Sequence, residues 1–295
     1  MTTNSVYKFP SFTQFMPHEK RILKRFRSWL RFCYAKTTIR SQIHTFETFL
    51  NQNALWQPLF NEEPYRCNTL LRKYCDNRFS AEERLRMICH NFILAENYFG
   101  KSLCQKLVSE QQILLANLTE DLQVYLNINR IDPFEGFFSL NILTTEKERV
   151  YDASFTFLPP NKILIASIQG PKGEDAAQLV KTATKSLFGV RPMFMLVNIF
   201  KMLAQDLQLD LEGIAHKNQG KYRFNDHTKL LFNYDEFWSE NQGVLNADGY
   251  WHLPLDIERK PLEEIQSKKR SMYKKRYAML DETAQQITRF FKENV

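Results

Sequence analysis

The stretch from Lys162 to Gly173, KILIASIQGPKG, restricts the fold more than any other part of the chain. Residues 163 to 168 are mostly apolar with no polar alternation, which suits a strand buried on both faces, and Gln169-Gly170-Pro171-Lys172-Gly173 ends it in a tight turn. Helix-like sequence follows from Glu174 to Leu187 and, with proline at its first position, from Pro192 to Leu207. Strand-like sequence returns at Leu211 to His216. A helical crossover between two strands makes them parallel. The chain therefore needs a sheet with at least one parallel pair.

Upstream, the period is that of antiparallel strands. Leu122, Val124, Leu126 and Ile128 alternate with Gln123, Tyr125 and Asn127; Phe138, Leu140 and Ile142 repeat the pattern, as do Ala153, Phe155 and Phe157. Polar or proline-bearing turns at 145–149 and 158–161 join these neighbours. Residues 1–110 instead read as helical. A basic amphipathic helix is expected from Pro17 to about Ala35, with the stripe Ile22, Phe26, Trp29, Leu30 and Cys33, and a second helix over Ser41 to Leu50. Ser80 and Glu83 form a capping box for a third, which Gly100 closes. Such a stripe is expected to pack on the chain's own core; the alternative is an anionic membrane surface, with basic residues among the headgroups. Dense aromatics from Tyr234 to Trp238 and from Tyr250 to Trp251 are expected to form a lid or rim. Pro261 opens a last helix with the stripe Ile265, Met272, Met279, Thr283, Ile287 and Phe290. The expected fold is α+β: a helical region (1–110), a mixed, mainly antiparallel sheet with a parallel strand pair (111–260), and a basic C-terminal helix (261–295).

Charge is uneven along this order. Residues 1–125 carry 17 basic and 11 acidic side chains, 126–258 carry 13 and 17, and 259–295 carry 10 and 5. Both ends either meet an anionic partner, a lipid surface before RNA, or close onto the acidic middle. Lys268, Lys269, Arg270, Lys274, Lys275 and Arg276 are the densest group and the candidate anionic-partner site, with no acid from Gln266 to Leu280. Tyr273 and Tyr277 supply limited stacking for RNA. Five cysteines without a C-x-x-C pair suit reduced thiols in a cytoplasmic protein. The six scattered histidines point to no metal site, and no Walker, H-E-x-x-H or G-x-S-x-G motif occurs. A strand that empties through a glycine turn into a helix N-terminus is also an anion site, here at Gly170, Lys172 and Gly173.

Several motifs together resemble the VirK/YbjX family of Gram-negative bacteria. They are Ser154-Phe155-Thr156-Phe157, Ile168-Gln169-Gly170, Arg191-Pro192, Tyr234-Asp235-Glu236-Phe237-Trp238, Asp248-Gly249-Tyr250 with Leu253-Pro254, and Lys268-Lys269-Arg270 with Tyr273 and Arg276. The resemblance implies a cytoplasmic protein; peripheral placement at the inner membrane is expected from the basic cluster at 268–276 if it engages lipid. The resemblance also implies a part in virulence, surface-protein expression, resistance to antimicrobial peptides and response to bacterium. It implies no reaction. The order of strands, glycine turn, helix and parallel strand is similar to the acyl-CoA N-acyltransferase fold. That likeness implies acyl-CoA as cofactor, with its pyrophosphate at Gln169, Gly170, Lys172 and Gly173, and an amine-bearing acceptor. His216 would then be the general base, Tyr234 would return a proton to the leaving thiolate, and Asp235 would orient the amine.

Overall fold

The computed structural model describes residues 6–16, 21–220, 222 and 232–294; Pro17 of the first expected helix lies outside them. The N-terminal part holds α1 (Phe12–Phe15), α2 (Ile22–Thr38), α3 (Arg40–Gln52), α4 (Gln57–Glu62), α5 (Asn68–Leu71) and α6 (Ala81–Glu110). The capping box forms as expected: Ser80 N donates to Glu83 Oε2 at 2.8 Å and Glu83 N to Ser80 Oγ at 3.3 Å. Gly100, at φ 74° and ψ 153°, breaks the helical path within α6, and the chain then resumes helix to Glu110. The glycine kinks this element where the sequence suggested a stop.

Eight strands follow: β1 (Gln112–Asn117), β2 (Leu122–Ile128), β3 (Phe138–Thr144), β4 (Arg149–Leu158), β5 (Lys162–Gln169), β6 (Asp210–Ile214), β7 (Val244–Leu245) and β8 (Tyr250–Leu253). They form one sheet in the order β1-β2-β3-β4-β5-β6-β8-β7. β5 and β6 are parallel and every other pair is antiparallel. The crossover between them is α7 (Ala176–Ser186) and α8 (Pro192–Asp206), as the opening stretch requires. Then come α9 (Tyr234–Glu240) and, after a 3-10 turn at Leu262–Glu264, α10 (Ser267–Asn294). The last helix thus begins at Ser267, six residues beyond Pro261. The aromatic stretch expected as a rim supplies β8, which pairs with β6 through Leu211↔Leu253 and Ile214↔Tyr250.

Register assigns each strand two unlike faces. Leu126, Leu140, Ala153 and Ile168 lie abreast across β2 to β5, and so do Ile128, Phe138, Phe155 and Ile165. Helices bury this apolar side: Phe99 of α6 meets Phe138 at 6.0 Å between ring centroids, and Phe200 of α8 meets Phe155 at 5.3 Å. On the opposite side Tyr125, Asn141, Asp152 and Gln169 lie abreast, followed by Asn127, Ser139, Ser154 and Ser167. α10 closes the core through Met279, Leu280, Thr283, Ile287 and Phe291, the last stacked on Phe99 at 5.7 Å.

α2 departs from expectation. Of its expected apolar stripe only Cys33 packs against the core: Ile22 is 83% exposed and Phe26 57%, Trp29 and Leu30 are exposed as well, and so are the neighbouring Leu23 and Tyr34. The helix touches the protein by a different side, through buried Phe32, which packs on Phe15 and Phe12. Amphipathic spacing fixes which residues share a face and leaves open what that face meets.

Candidate functional site

The pairing of β5 with β6 stops early, and this shapes the site the sequence pointed to. Ser154 lies opposite Ser167 and Phe155 opposite Ile165, so Ala166 is an extra residue that bulges β5. Contact with β6 covers Lys162–Ile165 only, although β5 runs on to Gln169. Past the bulge β5 runs on unpaired on this side, because β6 ends at Ile214. Tyr234, at the start of α9, enters the gap: its hydroxyl accepts from Ile168 N at 3.1 Å and donates to Ile168 O at 3.2 Å. Gln219 Nε2 donates to Ala166 O at 3.2 Å, and Trp238 Nε1 to Ile214 O at 2.8 Å. Trp238 lies against Gly213, where a Cβ would come within 2.4 Å of its ring. The gap is thus closed by side chains that replace the missing strand pairing.

His216, Tyr234 and Asp235 do come together here. His216 Nδ1 accepts from Tyr234 N at 3.5 Å, while Asp235 Oδ1 accepts from His216 N at 2.9 Å and from Trp251 Nε1 at 2.8 Å. The Asp235 carboxylate joins three segments of chain, and burial raises the Tyr234 phenol well above its ordinary value, which makes it a weaker acid. Gln169 Nε2 donates to Glu135 Oε2 at 2.7 Å, and Ser167 Oγ donates to the same oxygen at 2.8 Å. Gly170 lies under Tyr151, Lys172 is exposed, and Gly173 has φ +110°. Helix α7 begins two residues past Glu174, and the exposed carboxylates Glu174 and Asp175 stand at its start.

An acyl-CoA does not fit this arrangement. Tyr234 and Gln219 occupy the β5 backbone groups along which a coenzyme arm would pair, and Glu174 and Asp175 oppose a pyrophosphate at the start of α7. Sequence reading missed Asn141, Asp152 and Ser154 on the polar rows, and Glu135 and Gln219, which bond to β5 from outside them. Asp152 accepts from Asn141 Nδ2, its other oxygen lies 2.6 Å from Arg149 Nε, and burial pushes its carboxyl up to about 7 against the pull of that arginine. The only sequence signal was that these alternate positions are small hydroxyls and amides, where a solvent face usually carries lysine and glutamate.

The family described as "Protein of unknown function (DUF535)" matches residues 21–289. The chain belongs to that family. Its relatives place it with VirK/YbjX, as the motifs suggested. It is 56% identical over 289 residues to a Haemophilus influenzae protein, covering 97% of this chain and 99% of the relative. It is 34% identical to Membrane protein LapB of Mannheimia haemolytica over 231 residues, 74% of this chain and 95% of the relative. It is 25% identical to YbjX of Escherichia coli over 263 residues, 83% and 78% of the two chains. No solved structure matches.

In this VirK/YbjX chain the motif residues outside the gap hold joints of the fold. Arg78 Nη1 donates to Asp248 O at 2.9 Å and its Nη2 lies 2.6 Å from Asp76, which also accepts from Tyr250 OH at 2.8 Å. Gly249, at φ +80°, leaves room for that guanidinium: a Cβ there would lie 2.7 Å from Arg78 Nη1. Arg276 donates to Phe188 O from Nε at 3.0 Å and Nη2 at 2.8 Å and stacks on Tyr273. Arg270 donates to the carbonyls of Ile265 and Glu263. Of the six basic candidates on α10, the two arginines are therefore engaged with backbone, and Lys268, Lys269, Lys274 and Lys275 are exposed. Among the described residues no helix is long and apolar enough to cross a membrane and no group of side chains could hold a metal ion.

Proposed function

We propose that this VirK/YbjX protein is a peripheral protein of the anionic inner-membrane surface, bound from the cytoplasmic side. There it supports surface-protein expression, virulence and resistance to antimicrobial peptides. One observation carries the reading: α2 turns a stripe of large apolar side chains to solvent and flanks it with Lys24, Arg25, Arg27, Arg31 and Lys36, with no acid in the helix. Full burial of each apolar side chain is worth about 1.5–3 kcal/mol. Each basic residue near an anionic leaflet adds about 1 kcal/mol. A helix that Phe32, Cys33 and Ala35 hold to the protein while its large apolar residues stand exposed can make both gains without unfolding anything. The name of the Mannheimia relative, a membrane protein, supports the reading, because the described helices here offer a surface-lying segment and no spanning one.

Liposome flotation tests it. The chain should rise with vesicles rich in phosphatidylglycerol, stay behind with neutral ones, and be released by salt. The double variant Phe26→Ser with Trp29→Ser should lose flotation while keeping its melting temperature. Equal recovery with neutral and anionic vesicles, insensitive to salt, would remove the proposal.

A further inference from the structure

α7 and α10 run together over a groove of about 580 Å³. Its charged lining residues are Lys181 and Lys185 from α7 and Lys268 and Lys275 from α10, with no carboxylate among them. All four lysines are exposed, and among the described residues none of their ammonium groups has an ion-pair or hydrogen-bond partner. Lys181 and Lys185 stand one helical turn apart, a like-charge spacing that by itself disfavours the helix. Two elements therefore converge the same charge on one concavity. That arrangement is costly alone and becomes favourable when an anion enters.

The groove is also held in place. The Arg276 guanidinium ties α10 to Phe188 O at the end of α7 through two hydrogen bonds, and Gly189 accommodates it, since a Cβ there would lie 2.8 Å from Nη2. The lysine stems thus start from positions fixed before any ligand arrives, which lowers the entropy lost on binding. Thr184 commits its hydroxyl hydrogen to Val180 O at 2.7 Å, whereas the exposed Ser271 Oγ has no hydrogen-bond partner among the described residues and remains a donor for the groove. Phe188 and Met272, both half-buried, give the same groove an apolar part. The neighbouring cavities differ: in one of about 460 Å³ Arg191, Lys201, Lys260 and Arg276 stand with Glu240 and Glu258, and in one of about 810 Å³ Lys185 and Lys275 share the lining with Glu120, Asp121 and Glu282.

We infer that the α7–α10 groove is a binding site for a phosphate monoester, with the four lysines and Ser271 on the phosphate and Phe188 and Met272 against the organic part. Lysine ammoniums suit a phosphate as point charges, and the groove is far larger than an inorganic ion needs. The source is either a soluble sugar or glycerol phosphate or the headgroup of a lipid. The site shares no residue with α2 and stands whether or not that helix binds membrane.

Isothermal titration of the full chain separates these sources with three probes: glycerol 3-phosphate, dihexanoyl phosphatidic acid below its micellar range, and glycerol. Heat from the first two and none from glycerol supports a soluble ester; heat from phosphatidic acid alone supports a lipid headgroup. Lys185→Gln with Lys275→Gln should weaken the binding by at least about tenfold with an unchanged melting temperature, since both side chains are exposed. Phe26→Ser with Trp29→Ser should leave it unchanged, so that failure of membrane attachment and failure of this site are read separately. No heat from either phosphate, or equal affinity in wild type and lysine variant, would overturn the assignment. Tight binding of a short RNA in the absence of any monoester signal would also overturn it.

Discussion

Asp152 is 1% exposed, and its carboxyl is pushed from an ordinary 3.8 up to about 7 by burial. Between those values the folded chain keeps a proton that the unfolded chain has released, so stability falls as pH rises from about 4 to about 7 and is level above. The full effect is at most roughly 4 kcal/mol. Asp152→Asn should flatten that slope, because an amide has no proton to lose. Urea unfolding of both proteins at pH 5 and pH 8 reads it, and parallel slopes would mean that Asp152 ionises as readily folded as unfolded. Gly213 is a second residue with a steep expectation. An added Cβ would meet the Trp238 indole at 2.4 Å, and that ring is fixed by its bond to Ile214 O. Gly213→Ala should cost about 1–3 kcal/mol by overpacking, seen as a lower melting temperature. An unchanged value would show that the indole can move aside.

At the scale of elements, what the sequence made legible follows from how local each signal is. The strands β2 to β4 could be read because their side chains alternate, β5 because its apolar run does not, and the crossover because β5 empties through a glycine turn into helical spacing. The capping box of α6 lies within four residues of chain. β1 escaped because its six residues have Leu114 exposed among buried neighbours, which blurs the alternation. β8 was hidden by aromatics that suit a rim as well as a strand. The grouping of His216, Tyr234 and Asp235 came only from the likeness to the acyltransferase fold, not from their spacing in the chain. Glu135, Asp152 and Gln219 were not legible, since only register and the closed gap bring them together. α2 shows the limit most plainly, and it carries its own prediction. Phe32→Ala should destabilise the protein by about 3 kcal/mol and Leu23→Ala by no more than about 0.5, because one is buried and the other is 85% exposed. Equal losses in thermal melts would mean that the exposed stripe packs on the chain in solution.

Over the whole molecule, the helical first part and the sheet share one core. Its buried members run from Tyr7 to Phe291 without a break into separate clusters, and single contacts cross what sequence suggested as boundaries. Trp56 packs on Phe92 at 4.6 Å and reaches Phe138 of the sheet at 6.0 Å, while Phe99 of α6 stacks on Phe291 of α10. Removing any one segment would expose apolar surface on the other two, so they are expected to unfold together. Trp56 and Trp238, both fully buried, sit in the helical part and the sheet part of this core and, with Trp29 and Trp251 replaced by Phe, report on each separately. Urea transitions followed by the fluorescence of Trp56→Phe and Trp238→Phe variants in that background should therefore coincide with each other and with far-ultraviolet circular dichroism of the same samples, apart from the shift each substitution itself causes. Two resolved transitions, one lost with each tryptophan, would instead show that residues 1–110 fold as a unit of their own and that the aromatic contacts across the boundary are weak.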